Sequence, residues 1–183
     1  MSTTFPRTRR PRLGYRVEQV EDFLEEARRA YDAGAVGDGV ITSQTIRHTA
    51  FELIKGGYET DTVDAALERL EDAFALRERE RALKQRGDDA YYADARVRAQ
   101  EILDRLARPA GERFTRAGRL TAGYHVGDVD AFADLLVAYF RDGVPLTITE
   151  VRTAAFRSRR GGYSEPQVDL VIDAVIDVML AVR

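Results

Sequence analysis

Apolar positions recur at helical spacing along most of the chain. Phe23, Leu24, Ala27 and Tyr31 make one stripe, and Leu67, Leu70 and Phe74 a second. Phe132, Leu135, Leu136 and Tyr139 make a third, and Ile172, Val175, Ile176 and Met179 a fourth. Steps of three and four residues set side chains on one face of an α-helix. Ala95, Ala99, Ile102, Leu103 and Leu106 give a further face, which Pro109 and Gly111 end. Two capped first turns, at Thr42 and Thr147, lead toward Phe51 and Phe156, with Ile41 and Leu146 as staple residues before them. The pattern predicts helices near residues 17–32, 43–52, 61–86, 89–107, 128–141, 148–156 and 166–182. No alternating apolar run is long enough for a substantial sheet, so the expected class is all-α. A short extended pair at the turns is compatible with that class.

Each of the four main stripes is introduced by the same short text. Gly-Tyr pairs stand at Gly14-Tyr15, Gly57-Tyr58, Gly123-Tyr124 and Gly162-Tyr163. A valine follows each tyrosine five residues on: Val20, Val63, Val129 and Val168. The next residue is acidic every time, Glu21, Asp64, Asp130 and Asp169. A phenylalanine precedes each tyrosine, ten residues before it at Phe5 and Phe114, seven before it at Phe51 and Phe156. The units therefore alternate long, short, long, short, and the chain reads as a duplicated pair. The expected division is a first repeat pair over 1–76, a charged helical linker over 77–113, and a second repeat pair over 114–183.

Within a unit, the glycine is expected to relieve steric limits where the chain turns, and the tyrosine to pack. The residue after the tyrosine is placed to cap the helix. Ser164 and Gln167 form a capping-box pattern around Pro166, while Arg16, Glu59 and His125 are weaker caps. The acidic residue after the valine suits the positive end of the helix dipole. The last helix is apolar except for the stripe Asp169, Asp173 and Asp177. It must lie in a core or be covered by another subunit, so an oligomer through this helix is one of two expectations.

Composition narrows the function. The chain has 183 residues, no cysteine and no tryptophan. That excludes disulfides, thiol nucleophiles and thiolate metal sites. The beginning Met1-Ser-Thr-Thr-Phe5 lacks an apolar run, and no stretch of about 18 apolar residues exists. The expectation is a cytoplasmic protein without a secretory signal. His48 and His125 are the only histidines, neither in metal-ligand spacing, and no glycine-rich phosphate loop occurs. No catalytic residue, metal, cofactor or small-molecule substrate is expected.

Charge is placed rather than spread. Arg7, Arg9, Arg10, Arg12 and Arg16 fall in residues 1–16 with no acid among them, and Arg157, Arg159 and Arg160 precede Tyr163. The helices after the turns are acidic. The arginine loops could meet anionic lipid or phosphate, or pair locally with those helices. The net charge of −3 argues against nucleic acid, leaving a small helical nucleic-acid-binding protein as the alternative reading.

Phe51 with Gly57-Tyr58 and Val63-Asp64-Ala65-Ala66-Leu67 resembles the DivIVA domain. So do Phe156 with Gly162-Tyr163 and Val168-Asp169, and Gly123-Tyr124 with Val129-Asp130-Ala131-Phe132. The four copies look like the DivIVA-domain repeat proteins of high-GC bacteria, with the central linker outside the resemblance. The resemblance implies a non-enzymatic scaffold or adaptor of cell division or polar growth. Its partners would be other proteins of that machinery, at the septum or cell pole. Family members self-associate and gather at curved, negatively charged membrane. They carry a membrane tip directly before Gly-Tyr, which maps here to Arg12-Leu13, Lys55-Gly56, Thr121-Ala122 and Arg160-Gly161. No aromatic residue is among them, so basic contact rather than insertion is implied, through Arg7, Arg9, Arg10, Arg12, Lys55, Arg157, Arg159 and Arg160. The family also continues into a long coiled coil, whereas residues 77–108 lack a sustained heptad. Because single domains of the family dimerise, each half is expected to be an intrachain pseudo-dimer of its two units.

Overall fold

The computed structural model describes residues 5–9, 11–34 and 40–182. The Gly-Tyr turns are the seat of two small antiparallel sheets. β1 (Leu13–Tyr15) pairs with β2 (Leu53–Lys55), setting Leu13 opposite Lys55, Gly14 opposite Ile54 and Tyr15 opposite Leu53. β3 (Ala122–Tyr124) pairs with β4 (Ser158–Arg160), setting Ala122 opposite Arg160, Gly123 opposite Arg159 and Tyr124 opposite Ser158. Three-residue strands carry too few positions for a period of two to register.

Everything else of regular structure among the described residues is helical: α1 (Val17–Ala33), α2 (Ser43–Arg47), α3 (Thr60–Arg86), α4 (Asp88–Leu106), α5 (Val126–Asp142), α6 (Ile148–Arg152) and α7 (Glu165–Val182). The class is mostly helical, as the apolar spacing predicts. α1 and α5 both end on a left-handed glycine, Gly34 at φ 62° and Gly143 at φ 66°.

α2 and α6 stop well short of the predicted 43–52 and 148–156. Thr49 donates its hydroxyl to the Thr45 carbonyl at 2.7 Å, and Thr153 does the same to Thr149 at 2.8 Å. Threonine side chains that satisfy the carbonyl four residues back compete with the helix itself. The chain then extends, which frees Phe51 and Phe156 to pack elsewhere. The cap of α6 is as expected: Thr147 accepts from the Glu150 N–H at 3.2 Å, and the Glu150 carboxylate accepts from the Thr147 N–H at 2.7 Å. At α7 the expected box differs. The Gln167 carboxamide is engaged by Thr115 instead, accepting from its N–H at 3.0 Å and donating to its hydroxyl at 3.2 Å.

The chain divides into two compact units, residues 1–81 and 82–183. In the first, one buried cluster holds Phe5, Val17, Val20, Tyr58 and Val63. A second holds Ala27, Ile41, Ile46 and Phe74. Arg47 of α2 is tied to Glu71 of α3 by a buried ion pair at 2.8 Å.

In the second unit, α4 packs against α5 and α7, and α6 against α7. The stretch expected as a linker over 77–113 is therefore not a spacer. Its residues 88–106 form a helix whose Ala95, Ile102 and Leu106 are buried in the second unit's core. The spacing reveals that stripe, but the elements it packs on, α5 and α7, follow later in the chain. α7 is covered within the chain: Val171, Val175, Ile176, Val178, Met179 and Leu180 are buried, and only Leu170 and Val182 among its large apolar side chains are exposed. The apolar surface that suggested an oligomer through this helix is taken up by the chain's own core.

Candidate interaction site at the Gly-Tyr crossings

In each half the two Gly-Tyr pairs lie against one another. Tyr15 and Tyr58 exchange backbone hydrogen bonds, N–H to carbonyl, at 2.9 and 2.8 Å. Tyr124 and Tyr163 do the same at 3.0 and 2.8 Å. The glycine before each tyrosine is where the two backbones touch. A Cβ on Gly14 would come closer than 3.0 Å to the Tyr58 carbonyl and to Gly57, and one on Gly57 would meet Tyr15 and Gly14 in return. Gly123 and Gly162 stand in the same relation to Tyr163 and Tyr124. None of these four glycines has a positive φ. Their role is close approach, not the special turn conformation expected from sequence.

The aromatic side chains cross over between units. Phe5 packs edge-on to Tyr58 and Phe51 to Tyr15, with ring centres 5.3 and 5.4 Å apart. Phe114 packs on Tyr163 at 5.3 Å and Phe156 on Tyr124 at 5.1 Å. Edge-to-face pairs at this separation are favourable beyond the area they bury. Tyr58 and Tyr163 are fully buried, as are Val20, Val63, Val129 and Val168, while Tyr15 and Tyr124 are partly exposed.

The tyrosine hydroxyls find the acids that follow the valines of the opposite unit. Tyr58 donates to Glu21 at 2.7 Å and Tyr163 to Asp130 at 3.0 Å. Asp64 stands near enough to the Tyr15 hydroxyl, and Asp169 to that of Tyr124, to raise each phenol. A phenol that donates to a carboxylate resists ionisation. Burial, then the Asp169 bond, pushes Tyr124 up to about 12. Tyr58 is raised chiefly by its bond to Glu21, and Tyr15 and Tyr163 chiefly by burial. Asp64 is raised by burial, against the opposing effect of the Tyr15 bond. Beyond suiting the helix dipole, Glu21 and Asp130 serve as acceptors across the crossing.

In the second half the acceptor is itself buried. Asp130 also accepts from the Gly111 N–H at 2.8 Å. Arg113, equally buried, donates to the Asp130 carbonyl at 2.6 Å and to the Asp134 carboxylate. Sequence reasoning passed over Arg113, and also Arg116 and Arg119. One signal was available: Phe5 and Phe114 are each followed two residues later by an arginine. Both arginines lie over the buried tyrosine of the other unit, Arg7 over Tyr58 at 5.8 Å and Arg116 over Tyr163 at 5.1 Å.

A second layer of contacts sits one residue past the tyrosine. The Arg16 N–H donates to the Glu52 carbonyl at 2.8 Å and the His125 N–H to the Arg157 carbonyl at 2.7 Å. In the first half the Arg16 guanidinium pairs with Glu52 at 2.7 Å, and Gln19 accepts from the Glu52 N–H at 2.8 Å. In the second, Arg157 forks onto Asp128 at 2.6 and 2.9 Å, and its N–H also reaches Asp128 at 3.1 Å. These bonds hold Asp128 well below the usual carboxylate range, and the Arg16 bond lowers Glu52 likewise. His125 caps α5, with Nδ1 3.3 Å from the Asp128 N–H and Nε2 3.2 Å from the Arg159 guanidinium.

The structure collects the expected basic residues at the strand ends. Arg12 and Lys55 share one end of the β1–β2 pair with the exposed Leu13. Arg159 and Arg160 lie on β4, with Arg119 and the almost fully exposed Leu120 in the turn before β3. Arg7 and Arg9 are exposed; Arg10 lies outside the described residues. Arg157 is exposed yet committed to Asp128. Among the described residues no group of three or more histidine, aspartate and glutamate side chains is placed to hold a metal ion, and no helix is long and apolar enough to cross a membrane.

No family model, no curated protein and no solved structure matches this chain.

Proposed function

We propose that the chain is a non-enzymatic, DivIVA-like scaffold or adaptor of bacterial cell division or polar growth. It acts by contacts with other proteins and, peripherally, with an anionic membrane surface at the septum or pole. Each half is an intrachain pseudo-dimer of a long and a short unit. The observation that carries this reading is reciprocity. Within a half, each tyrosine takes the phenylalanine and the acid of the other unit, as the two subunits of an isologous dimer would. The same exchange recurs in the second half. A packing unit used four times suits a protein whose work is to be held and to hold.

The strand ends support the peripheral contact. Arg12 and Lys55 beside Leu13, and Arg119 beside Leu120, combine positive charge with an exposed aliphatic side chain, and Arg160 adds charge opposite Ala122. Basic residues near an anionic leaflet each add attraction within a Debye length.

Two measurements test the reading. The chain is expected to sediment with vesicles containing phosphatidylglycerol, and to lose this when Arg12, Lys55, Arg119 and Arg160 are all replaced by alanine. A fluorescent fusion is expected at the septum or poles of the native cell, and a diffuse signal would sink the proposal. Binding of duplex DNA at physiological salt, in place of vesicles, would favour the nucleic-acid alternative.

A further inference from the structure

The tyrosine–acid bonds are the same in both halves, but the layer beside them is not. At the position after the tyrosine and its neighbours, the first half places a cation on the long unit and an anion on the short one, Arg16 against Glu52. The second half reverses this, with Asp128 on the long unit and Arg157 on the short one. The positions correspond: Arg16 and His125 make the same backbone bond to Glu52 and Arg157, and Gln19 and Asp128 both accept the N–H of that partner.

We infer that this charge-swapped pair of locks determines which long unit pairs with which short unit. A chain with four like units could assemble in two ways, and the aromatic and tyrosine–acid contacts serve either way. Glu21 stands at the position in its unit that Asp130 holds, so it offers Tyr163 the same kind of acceptor. The locks discriminate. A first long unit set on the second short unit would bring Arg16 against Arg157, with the neutral Gln19 in the place of Asp128. A second long unit set on the first short unit would bring Asp128 against Glu52. Both wrong pairings place like charges where the right ones place a hydrogen-bonded ion pair, which is how repulsion adds specificity to attraction. The inference rests on the reading of four like units in two intrachain pairs.

The chain has no cysteine, so introduced thiols report pairing directly. Leu13 lies opposite Lys55 in the β1–β2 register, and Arg160 is the residue of β4 equivalent to Lys55. Antiparallel neighbours lie within the Cα separation a disulfide spans. The full chain carrying Leu13→Cys, Lys55→Cys and Arg160→Cys is refolded from urea, oxidised, and its disulfides are mapped by peptide mass. With native locks, the 13–55 bond is expected almost alone. With Glu52→Arg and Arg157→Glu added, the ratio of 13–55 to 13–160 is expected to fall at least tenfold. Adding Arg16→Glu and Asp128→Arg, which makes both native pairs complementary again, should restore the original ratio and, if the double swap unfolds the chain, restore folding. An unchanged ratio after the double swap, or no recovery in the fourfold variant, overturns the inference. Absence of the 13–55 bond with native locks instead overturns the intrachain pairing on which it rests.

Discussion

Tyr15 and Tyr58 bond each other through their backbones at 2.9 and 2.8 Å, yet Tyr58 donates its hydroxyl to Glu21 at 2.7 Å and Tyr15 lies by Asp64, each acid on the helix that follows the other tyrosine. Backbone exchange fixes the register, and side-chain exchange fixes the helices to it. The consequences of breaking either link differ, and each can be measured.

Gly57→Ala is expected to be severely destabilising. The added methyl meets the Tyr15 carbonyl and the Gly14 backbone, neither of which can rotate away. Relief requires the two strands to part. The cost is at least about 3 kcal/mol, at the upper end for overpacking. Urea denaturation followed by circular dichroism measures it, and a loss below about 1 kcal/mol would contradict the close crossing.

Tyr58→Phe and Tyr163→Phe remove the same hydroxyl from equally buried rings, but the acceptors differ. Glu21 is exposed and can be hydrated once released. Asp130 is buried, and the Arg113 N–H, 3.3 Å from the Tyr163 hydroxyl, loses its acceptor as well. The expected costs are about 1 kcal/mol for Tyr58→Phe and about 3 kcal/mol for Tyr163→Phe, the larger one reflecting buried groups left unpaired. Equal urea midpoints for the two variants would contradict this account.

Alkali is expected to unfold the protein through these phenols. Tyr124 ionises at about 12 in the fold against about 10 in an open chain. A pKa raised by folding contributes stability that is complete below the unfolded value and disappears as pH rises through the folded one. The loss therefore falls between about pH 10 and about 12, and Tyr15, Tyr58 and Tyr163 shift in the same direction. Phenolate absorbance and helical circular dichroism should change together over that window, and less steeply in Tyr124→Phe. Ionisation of all eight tyrosines at about 10 with the helices intact would refute it.

The buried Arg47–Glu71 pair gives a fourth expectation. Its side chains are 9% and 3% exposed. Removing one charge strands the other, so Arg47→Met is expected to cost about 3–5 kcal/mol. Replacing both, with Arg47→Met and Glu71→Leu, should recover most of that. A double-mutant cycle in urea reads the coupling, and additive losses would argue against a mutual pair.

Helices were legible because 3.6-residue spacing is a local property, and the observed helix bounds follow the apolar stripes wherever no threonine intervenes. The four valines and buried tyrosines were legible for the same reason. What the acids do was not. Glu21 looks like a helix-start residue from its neighbours, and the hydroxyl it binds lies 37 residues away. The Arg16–Glu52 and Asp128–Arg157 contacts span 36 and 29 residues, and each member alone reads as surface charge. A short extended pair at the turns is compatible with the sequence, but its register is not legible because three residues carry no period, nor is the role of the glycines, because close approach needs two backbones. The apolar face of α4 is legible in Ala95, Ile102 and Leu106, but its place in the second unit is not, because its packing partners α5 and α7 come later in the chain.

The glycine crossing also sets an order in time. Until Gly57 has been added to the growing chain, Gly14 has no backbone to lie against and Phe5 no tyrosine ring to meet. A ribosome delivering residues in sequence therefore releases α1 with its apolar stripe bare. A helix in a protein draws most of its stability from packing its apolar face, which α1 cannot yet do. The delay repeats when β3 and α5 await Gly162 and Tyr163. Glu18, Asp22, Glu25 and Glu26 crowd the outer surface of α1, and their mutual repulsion keeps waiting segments apart from neighbouring chains. Acidity that looks ornamental in the finished protein is protective while it is being made.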